Sequence, residues 1–351
     1  MQRAVVMRRF GSSAQEALEL VTDHPKPKRG KGEVLIQVHG TSLNPIDCKT
    51  RRGEMPKFLV SLPKVLGGDV SGIVVESDSD AFPVGARVMA LTEGFQMWVP
   101  WGCYCEYVSV PEGHLVMVPS DVDLVEAAGV PLVSVTASMA LNAICPSESS
   151  DAQHDDNNTS LDQHKKKKKK ILIHAGAGGV GSMCIQLAKQ RGYEVYTTSS
   201  HEEFCADLGA DHVINYKTSK FWEMYGKGEF DAIIDPIGGE VETHSLQMLD
   251  RHGVYVCIMH GHPLGTFARL FLHKLQHALG FGPAYHVIMV SPNQGILQEV
   301  ALLLEDKKVR PVTSKVVPLS GVMDAHDEMD RGLNSKGKIV FSVREQQEQE
   351  Q

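Results

Sequence analysis

The run ILIHAGAGGVGSMCIQLAK, from Ile171 to Lys189, decides the fold. An apolar stretch breaks at a cluster of glycines and resumes with apolar residues at helical spacing. Gly176, Gly178 and Gly181 fit G-x-G-x-x-G, with a strand before them and a helix after, the context a dinucleotide-binding turn requires. The first glycine permits a tight turn, the second lets the backbone approach a pyrophosphate, and the third lets helix and strand pack closely. The phosphates would rest on free backbone N–H groups at the positive end of the helix. Glycine-rich turns of this kind also serve packing alone, so the neighbouring sequence has to decide.

Downstream, strands and helices alternate: YEVYTTSS, EEFCADLG, HVINY, FDAIIDPIG, VETHSLQMLDRH and GVYVCIM. That rhythm predicts a parallel sheet covered on both faces, a doubly wound Rossmann-type α/β domain over residues 171–290. In that setting Gly176, Ala177, Gly178, Gly179, Val180 and Gly181 read as the cofactor turn. Asp235, Pro236, Ile258 and Met259, at the ends of later strands, are counted with the same site. Residues 291–345 offer a helix (ILQEVALLLEDKK), an extended stretch (VTSKVVPL), a second helix (VMDAHDEMDRGL) and a closing strand (KIVFSV).

Upstream, residues 1–145 are β-rich. EVLIQVHGTSLN, SGIVVE, ARVMALT and YCEYVSV are short strands between Gly, Pro and Asp turn signals. LVEAAGVPLVSVTASMAL is helical, with Pro131 either starting a second helix or breaking the first. Residues 146–170, which end in the six lysines Lys165 to Lys170, carry almost no apolar content and read as a disordered surface insertion without a catalytic role. Residues 346–351 form a polar tail.

Bulk properties narrow the function classes. A chain of 351 residues, 42% hydrophobic, suffices for two cores. A net charge of −8 gives the chain as a whole no electrostatic reason to bind nucleic acid or anionic lipid. No apolar run is long enough to cross a bilayer. The N-terminal arginines Arg3, Arg8 and Arg9 faintly resemble a mitochondrial presequence, but Ala4 to Met7 reads better as a first strand. Seven cysteines at irregular spacing make no disulfide framework and point to a reducing compartment, the cytoplasm, with the mitochondrion as the alternative.

The end of the second Rossmann strand bears on the cofactor. NAD sites place an Asp or Glu there for the ribose 2′-OH, whereas this chain has Thr197, Thr198, Ser199, Ser200 and His201. Hydroxyls and an imidazole can face a 2′-phosphate that a carboxylate would repel, so NADPH is favoured over NADH. Glu202 and Glu203 follow as first-turn residues that complement the next helix.

With the phrases TSLNPIDCKTRRG, VLGGDVSGIV, PVGARVMAL, LVSVTASMAL, LGADHVINYK, FDAIIDPIGG and GKIVFSV, these features resemble the medium-chain dehydrogenase/reductase superfamily, in its quinone oxidoreductase branch. NPID, GGDVSG and PAYHVIMVSP look closest to the mitochondrial reticulon-interacting and plastid-envelope quinone oxidoreductases. The resemblance implies a GroES-like catalytic domain over residues 1–145, completed by 291–345, with the active site in the cleft beside the Rossmann domain. By position it places Asn44 and Asp47 in the loop at the nicotinamide, Thr136 at the nicotinamide ribose, and Tyr216 near the 2′-phosphate. It also suggests a homodimer.

Zinc alcohol dehydrogenases of the superfamily use a Cys near position 44 and a G-H-E phrase near position 68, where this chain has Asn44 and Gly67-Gly68-Asp69. Of a structural zinc lobe only Cys103-x-Cys105 is present, so no metal ligand is assigned. Without a Lewis acid, reduction of an electron-poor acceptor is easier than alcohol oxidation. The expected reaction is hydride transfer from NADPH to a quinone or an α,β-unsaturated carbonyl, with water or a cleft residue supplying the proton. Asn44 would hydrogen-bond the acceptor oxygen and Lys49 would stabilise negative charge, with a solvated surface lysine as the plain alternative. Asp47 and Asp69 are further catalytic candidates, with turn or ion-pair roles as competitors. The segment from Met259 to His286 reads either as the lining of a pocket for a bulky apolar acceptor or as a dimer-edge or lid helix. An NADPH-binding scaffold with little turnover and a zinc alcohol dehydrogenase are the alternative functions.

Overall fold

The computed structural model describes residues 1–144, 168–258 and 263–344. Most of the insertion expected at 146–170, Met259 and the polar tail 346–351 lie outside these described residues. The chain divides into two compact units. Met1–Thr136, Ala177–Met183 and Val290–Gln351 form the first; Ala137–Gly176 and Cys184–Met289 form the second.

The second unit is built around a six-stranded sheet among the described residues. In spatial order its strands are His212–Ile214, Glu194–Thr198, Lys170–Ile173, Ala232–Asp235, Val254–Ile258 and Ala284–Ile288, every neighbouring pair parallel. The chain starts in the middle at Lys170–Ile173, adds two strands to one side and then three to the other. This is the doubly wound order, and its reversal sits at the turn that leaves Ile173. A central strand covered on both faces must be apolar throughout, which explains ILI: Ile171, Leu172 and Ile173 are all fully buried. At roughly 2–3 kcal/mol for each fully buried side chain, this one strand anchors the sheet. Its partners in the core include Ile233, Phe230 and Tyr255. The segment Met259–His286 contains helix Pro263–Ala278 and contributes strand Ala284–Ile288 at the edge of the sheet.

In the first unit, strand Glu33–Ser42 is the spine. It pairs antiparallel with Asp69–Glu76, with Tyr107–Pro111 and, at its far end, with Lys338–Ser342. The sheet continues through Arg87–Leu91 to Leu115–Met117 on one side and through Lys338–Ser342 to Thr313–Pro318 on the other. A smaller sheet joins Leu18–His24, Gln2–Met7 and Lys64–Val65. Val34, Ile36 and Val38 alternate into the core with Tyr104, Phe341 and Leu319. The helical stretch after Asp123 divides as its proline dictates: Leu124–Ala127 ends, and Pro131 opens Pro131–Ile144, where the missing N–H costs nothing. The fold is therefore mixed α/β, a Rossmann-type parallel sheet with a separate β-rich unit.

Candidate active site

Two groups of residues matter, one in each unit. In the first unit, the register Val340↔Ser42 brings Lys338 to the end of strand Glu33–Ser42, where the chain enters helix Pro45–Arg52. Asp69, at the start of its strand, faces the same point. Its Oδ2 accepts hydrogen bonds from Ser42 Oγ at 2.6 Å and Asn44 Nδ2 at 2.8 Å, and lies 3.7 Å from Lys338 Nζ. Its Oδ1 accepts from the backbone N–H of Leu132 at 2.7 Å, so one of the free donors of helix Pro131–Ile144 ends on a carboxylate. Lys338 Nζ donates to the Leu43 carbonyl at 2.7 Å and to Asn44 Oδ1 at 2.5 Å. All of these side chains are buried, Asp69 at 0% exposure and Lys338 at 6%. Burial lowers the Lys338 ammonium from its ordinary range, opposed by Asp69 and Asp47.

Asp47 sits one turn into helix Pro45–Arg52 and reaches back to the Asn44 N–H at 3.0 Å, which fixes the helix entry. The same carboxylate accepts from the Gly67 N–H at 3.1 Å and the Tyr104 hydroxyl at 3.2 Å. Gly67 adopts a φ of +95°, and a Cβ there would lie 2.6 Å from the Tyr104 ring. Only glycine fits this position. Burial pushes the Asp47 carboxyl up to about 6, against the backbone N–H groups and Lys338, which pull it down. Asn44, Asp47 and Asp69, read separately from the sequence, are thus joined, with Asn44 in contact with both carboxylate centres. Lys49 lies half-buried on the same helix and is not a member of this network. Ser42, Tyr104 and Lys338 were missed. The only trace of Lys338 in the sequence is the phrase GKIVFSV, 294 residues from Asn44.

The glycine turn begins in the second unit. Ala175, not a glycine, takes the left-handed conformation here, with φ 53°, and its N–H donates to Thr198 Oγ1 at 3.2 Å. At Gly176 a Cβ would fall 2.0 Å from Thr197 Oγ1, so this glycine is demanded by the packing of the neighbouring strand. From Ala177 the turn belongs to the first unit. Ala177 accepts from the Gly337 N–H at 2.7 Å, and Gly178 bridges to Gly337 in parallel register. A Cβ on Gly179 would meet the Lys338 stem at 2.8 Å. Gly178, Gly179 and Val180 are partly exposed, while Gly181 is buried inside helix Gly179–Gln190. The first-turn N–H groups of that 12-residue helix have no intrahelical acceptor. A partly open turn and first-turn N–H donors without an intrahelical acceptor fit a dinucleotide pyrophosphate.

Of the side chains at the end of the second strand, Thr197 donates to the Ile173 carbonyl at 2.7 Å and is fully buried. Thr198 is buried, its Oγ1 3.1 Å from His174 Nδ1, and Ser199 Oγ accepts from the His201 N–H at 2.9 Å. His174 lies between Thr198 and Ser245, and burial depresses it to about 4, so it stands neutral as a structural imidazole. Ser200 and His201 are half-buried and Tyr216 is 60% exposed. Asp235 is fully buried: its Oδ1 accepts from the Ile237 and Gly238 N–H groups and its Oδ2 from the Tyr255 hydroxyl, so it shapes the turn after its strand. Pro236 and Ile258 are half-buried at the ends of their strands. Thr136 Oγ1 donates to the Leu132 carbonyl at 2.7 Å inside helix Pro131–Ile144.

The positions that would hold zinc do not form a donor set. Asn44 is an amide, Gly68 has no side chain, and Asp69 is engaged by an ammonium, a hydroxyl and two N–H donors. Cys48 turns away, its Sγ 3.4 Å from His326 Nδ1 in the core. Among the described residues no group of three or more His, Cys, Asp or Glu is arranged to hold a metal ion.

A family model described as alcohol dehydrogenase GroES-like domain matches residues 30–120, and one described as zinc-binding dehydrogenase matches residues 208–341. The chain is 30% identical to the Danio rerio protein named NAD(P)H oxidoreductase RTN4IP1, mitochondrial, over 90% of this chain and 85% of that one. It is 28% identical to the Arabidopsis thaliana NADPH-dependent alkenal/one oxidoreductase, chloroplastic, over 93% of this chain and 76% of that one. The solved quinone oxidoreductase from Coxiella burnetii superposes with a TM-score of 0.80 at 32% identity, covering 98% of this chain and 99% of that one. The chain belongs to the medium-chain dehydrogenase/reductase superfamily, in its quinone oxidoreductase branch, and is an oxidoreductase that uses a nicotinamide cofactor.

Proposed function

We propose that this oxidoreductase takes NADPH in preference to NADH and reduces a quinone or an α,β-unsaturated carbonyl without a metal ion. The observation that carries the reading is the end of strand Glu194–Thr198. Where an NAD site holds a carboxylate, the partly exposed groups here are Ser200 and His201. A hydroxyl and an imidazole can donate to a 2′-phosphate, and Tyr216 adds an exposed phenol further along. The plant relative named for NADPH and an alkenal/one acceptor supports the same choice.

NADPH, when bound, supplies the hydride; water supplies the proton that completes the two-electron reduction of the acceptor. The protein's share is orientation. The first turn of helix Gly179–Gln190 holds the pyrophosphate, and the Asn44–Asp69–Lys338 network fixes the backbone from Leu43 to Asp47. The six described cysteines are all free, in keeping with a reducing compartment, cytoplasm or mitochondrial matrix.

Initial rates of NADPH and NADH oxidation against a panel of quinones and enones, with chelator present, test the reading. Ser200→Asp should lower kcat/KM for NADPH at least tenfold while leaving NADH within a few-fold. A wild-type preference for NADH, or activity that disappears with chelator and returns with zinc, would overturn it.

A further inference from the structure

A cleft of about 320 Å³ opens in the first unit and shares no residue with the Asn44–Asp69–Lys338 network. Its apolar wall is made by Pro25, Pro27, Val65, Val108 and Trp101, the last 39% exposed. That volume lies in the range of a small-molecule site.

One side of the cleft is the edge of strand Tyr107–Pro111, which among the described strands pairs with Glu33–Ser42 alone. Residues of an antiparallel strand turn their backbone groups alternately toward and away from the partner. The bond from the Val38 N–H to the Glu106 carbonyl, with the register Ile36↔Val108, sets Glu106 and Val108 inward, so Tyr107, Ser109 and Pro111 face outward. Tyr107 is already closed: its N–H donates to Gln2 Oε1 at 2.7 Å, and its carbonyl accepts from the Cys105 thiol at 3.2 Å. Pro111 has no N–H to offer. Ser109 therefore keeps an outward N–H and carbonyl that no described residue engages, and it lines the cleft. An edge one residue long is too short to add a strand, but it can hold the two ends of a single residue.

Two charges stand at the same cleft. Lys28 is exposed and its ammonium has no partner among the described residues, whereas Lys26 lies 4.1 Å over the Tyr107 ring. Burial and then Arg8 lower His24, the other basic group of the lining, so Lys28 is the cation at neutral pH. Glu33 Oε2 accepts from the Gly30 N–H at 3.0 Å and from Ser109 Oγ at 2.7 Å, and no described residue donates to its Oε1. Lys28 and Glu33 line one cleft without forming an ion pair with each other. A ligand with an anionic and a cationic end bridges what the protein leaves apart. A purely anionic ligand would face Glu33, and a purely cationic one Lys28.

We propose that this cleft binds a free α-amino acid with a large apolar side chain. The carboxylate lies at Lys28 and the Ser109 N–H, the ammonium at Glu33 and the Ser109 carbonyl, and the side chain against Trp101. The proposal rests neither on the cofactor preference nor on the acceptor proposed above.

The test is titration calorimetry of the full chain with L-phenylalanine, whose ring suits an indole wall. One site with a Kd of about 1 mM or tighter is expected. N-acetyl-L-phenylalanine, which lacks the ammonium, and L-phenylalaninamide, which lacks the carboxylate, should each bind at least about tenfold more weakly. Lys28→Met and Trp101→Ala should each weaken L-phenylalanine about fivefold or more. Both variants should match wild type in circular dichroism and turnover, since neither residue belongs to the network at Asp69. Four results would each overturn the proposal. They are no heat at concentrations up to about 10 mM, equal binding of the N-acetyl compound or the amide, unchanged affinity in both variants, and tighter binding of the peptide Gly-Phe-Gly. The last would make the edge a peptide groove.

Discussion

Replacing Lys338 by Met tests whether the network at Asp69 is a single coupled unit. The substitution keeps the stem that packs on Gly179 and removes the ammonium. Two acceptors lose their donor, the Leu43 carbonyl and Asn44 Oδ1, and Asp69 loses a cation 3.7 Å away. At an effective dielectric of about 20 that attraction is roughly 4 kcal/mol, reduced by the hydration the buried lysine regains on unfolding. Asp69 keeps three donors, Ser42, Asn44 and the Leu132 N–H, which softens the loss. The expected destabilisation is about 3–5 kcal/mol, the cost of leaving one partner of a buried pair alone. Asp69→Asn should fall in the same range, and the double variant should cost at least about 1 kcal/mol less than the two singles together. Urea unfolding, followed by circular dichroism and fluorescence, supplies the four free energies. Singles that add to within about 0.5 kcal/mol would refute the coupling and leave Lys338 and Asp69 as independent buried groups.

The remaining expectations concern packing and pH. Gly176→Ala forces a methyl against Thr197 Oγ1, which its bond to Ile173 holds in place, and should cost about 1–3 kcal/mol. Thr197→Ala in the same chain should recover part of it; a Gly176→Ala protein as stable as its parent contradicts the packing account. Acid should destabilise the fold, because burial lowers His174 to about 4 and His326 to about 3 from an unfolded value of 6.5. Their contribution is present above pH 6.5 and drains away as pH falls toward those folded values. Asp47 acts in the opposite sense: raised from 3.8 to about 6, its contribution is present at low pH and lost as pH rises through 6. Taken together, these two histidines and one carboxyl contribute a slope of about 1.4 kcal/mol per pH unit between pH 6 and 4. His326→Leu should lower the measured slope by about 1.4 kcal/mol per pH unit, and an unchanged slope in urea titrations across this window would contradict the assignment.

The parallel sheet was legible because its signal is local and repeated: ILI, then the glycines, then an apolar helix, each within a few residues of the next. What was not legible depends on neighbours far along the chain. Gly176 reads as a turn glycine, yet the left-handed residue is Ala175 and the constraint on Gly176 comes from Thr197 on the adjacent strand. Thr198 and Ser199 read as phosphate-facing hydroxyls, but pairing in the sheet turns them to His174 and to the His201 N–H. Asn44 and Asp47 came from their position in the family resemblance and Asp69 from the Gly67-Gly68-Asp69 phrase beside them; the lysine that joins Asn44 and Asp69 was an ordinary surface-type residue until register Val340↔Ser42 buried it. The segment around helix Pro263–Ala278 read either as the lining of an acceptor pocket or as a dimer-edge or lid helix, because periodicity reports that a face exists and not which way it points.

The bond from the Gly337 N–H to the Ala177 carbonyl ties the second part of the glycine turn to the last of the described strands. During synthesis, residues 1–136 emerge without the strand that completes their sheet, and the turn at Ala177 emerges without the strand that pins it. Both vacancies close together when Lys338–Ser342 leaves the ribosome, since the same five residues pair with Gly40–Ser42 and bring Lys338 to Asn44. The final strand is a latch: before it arrives, neither the turn nor the buried carboxylate network has its last partner, and afterwards one docking step sets both.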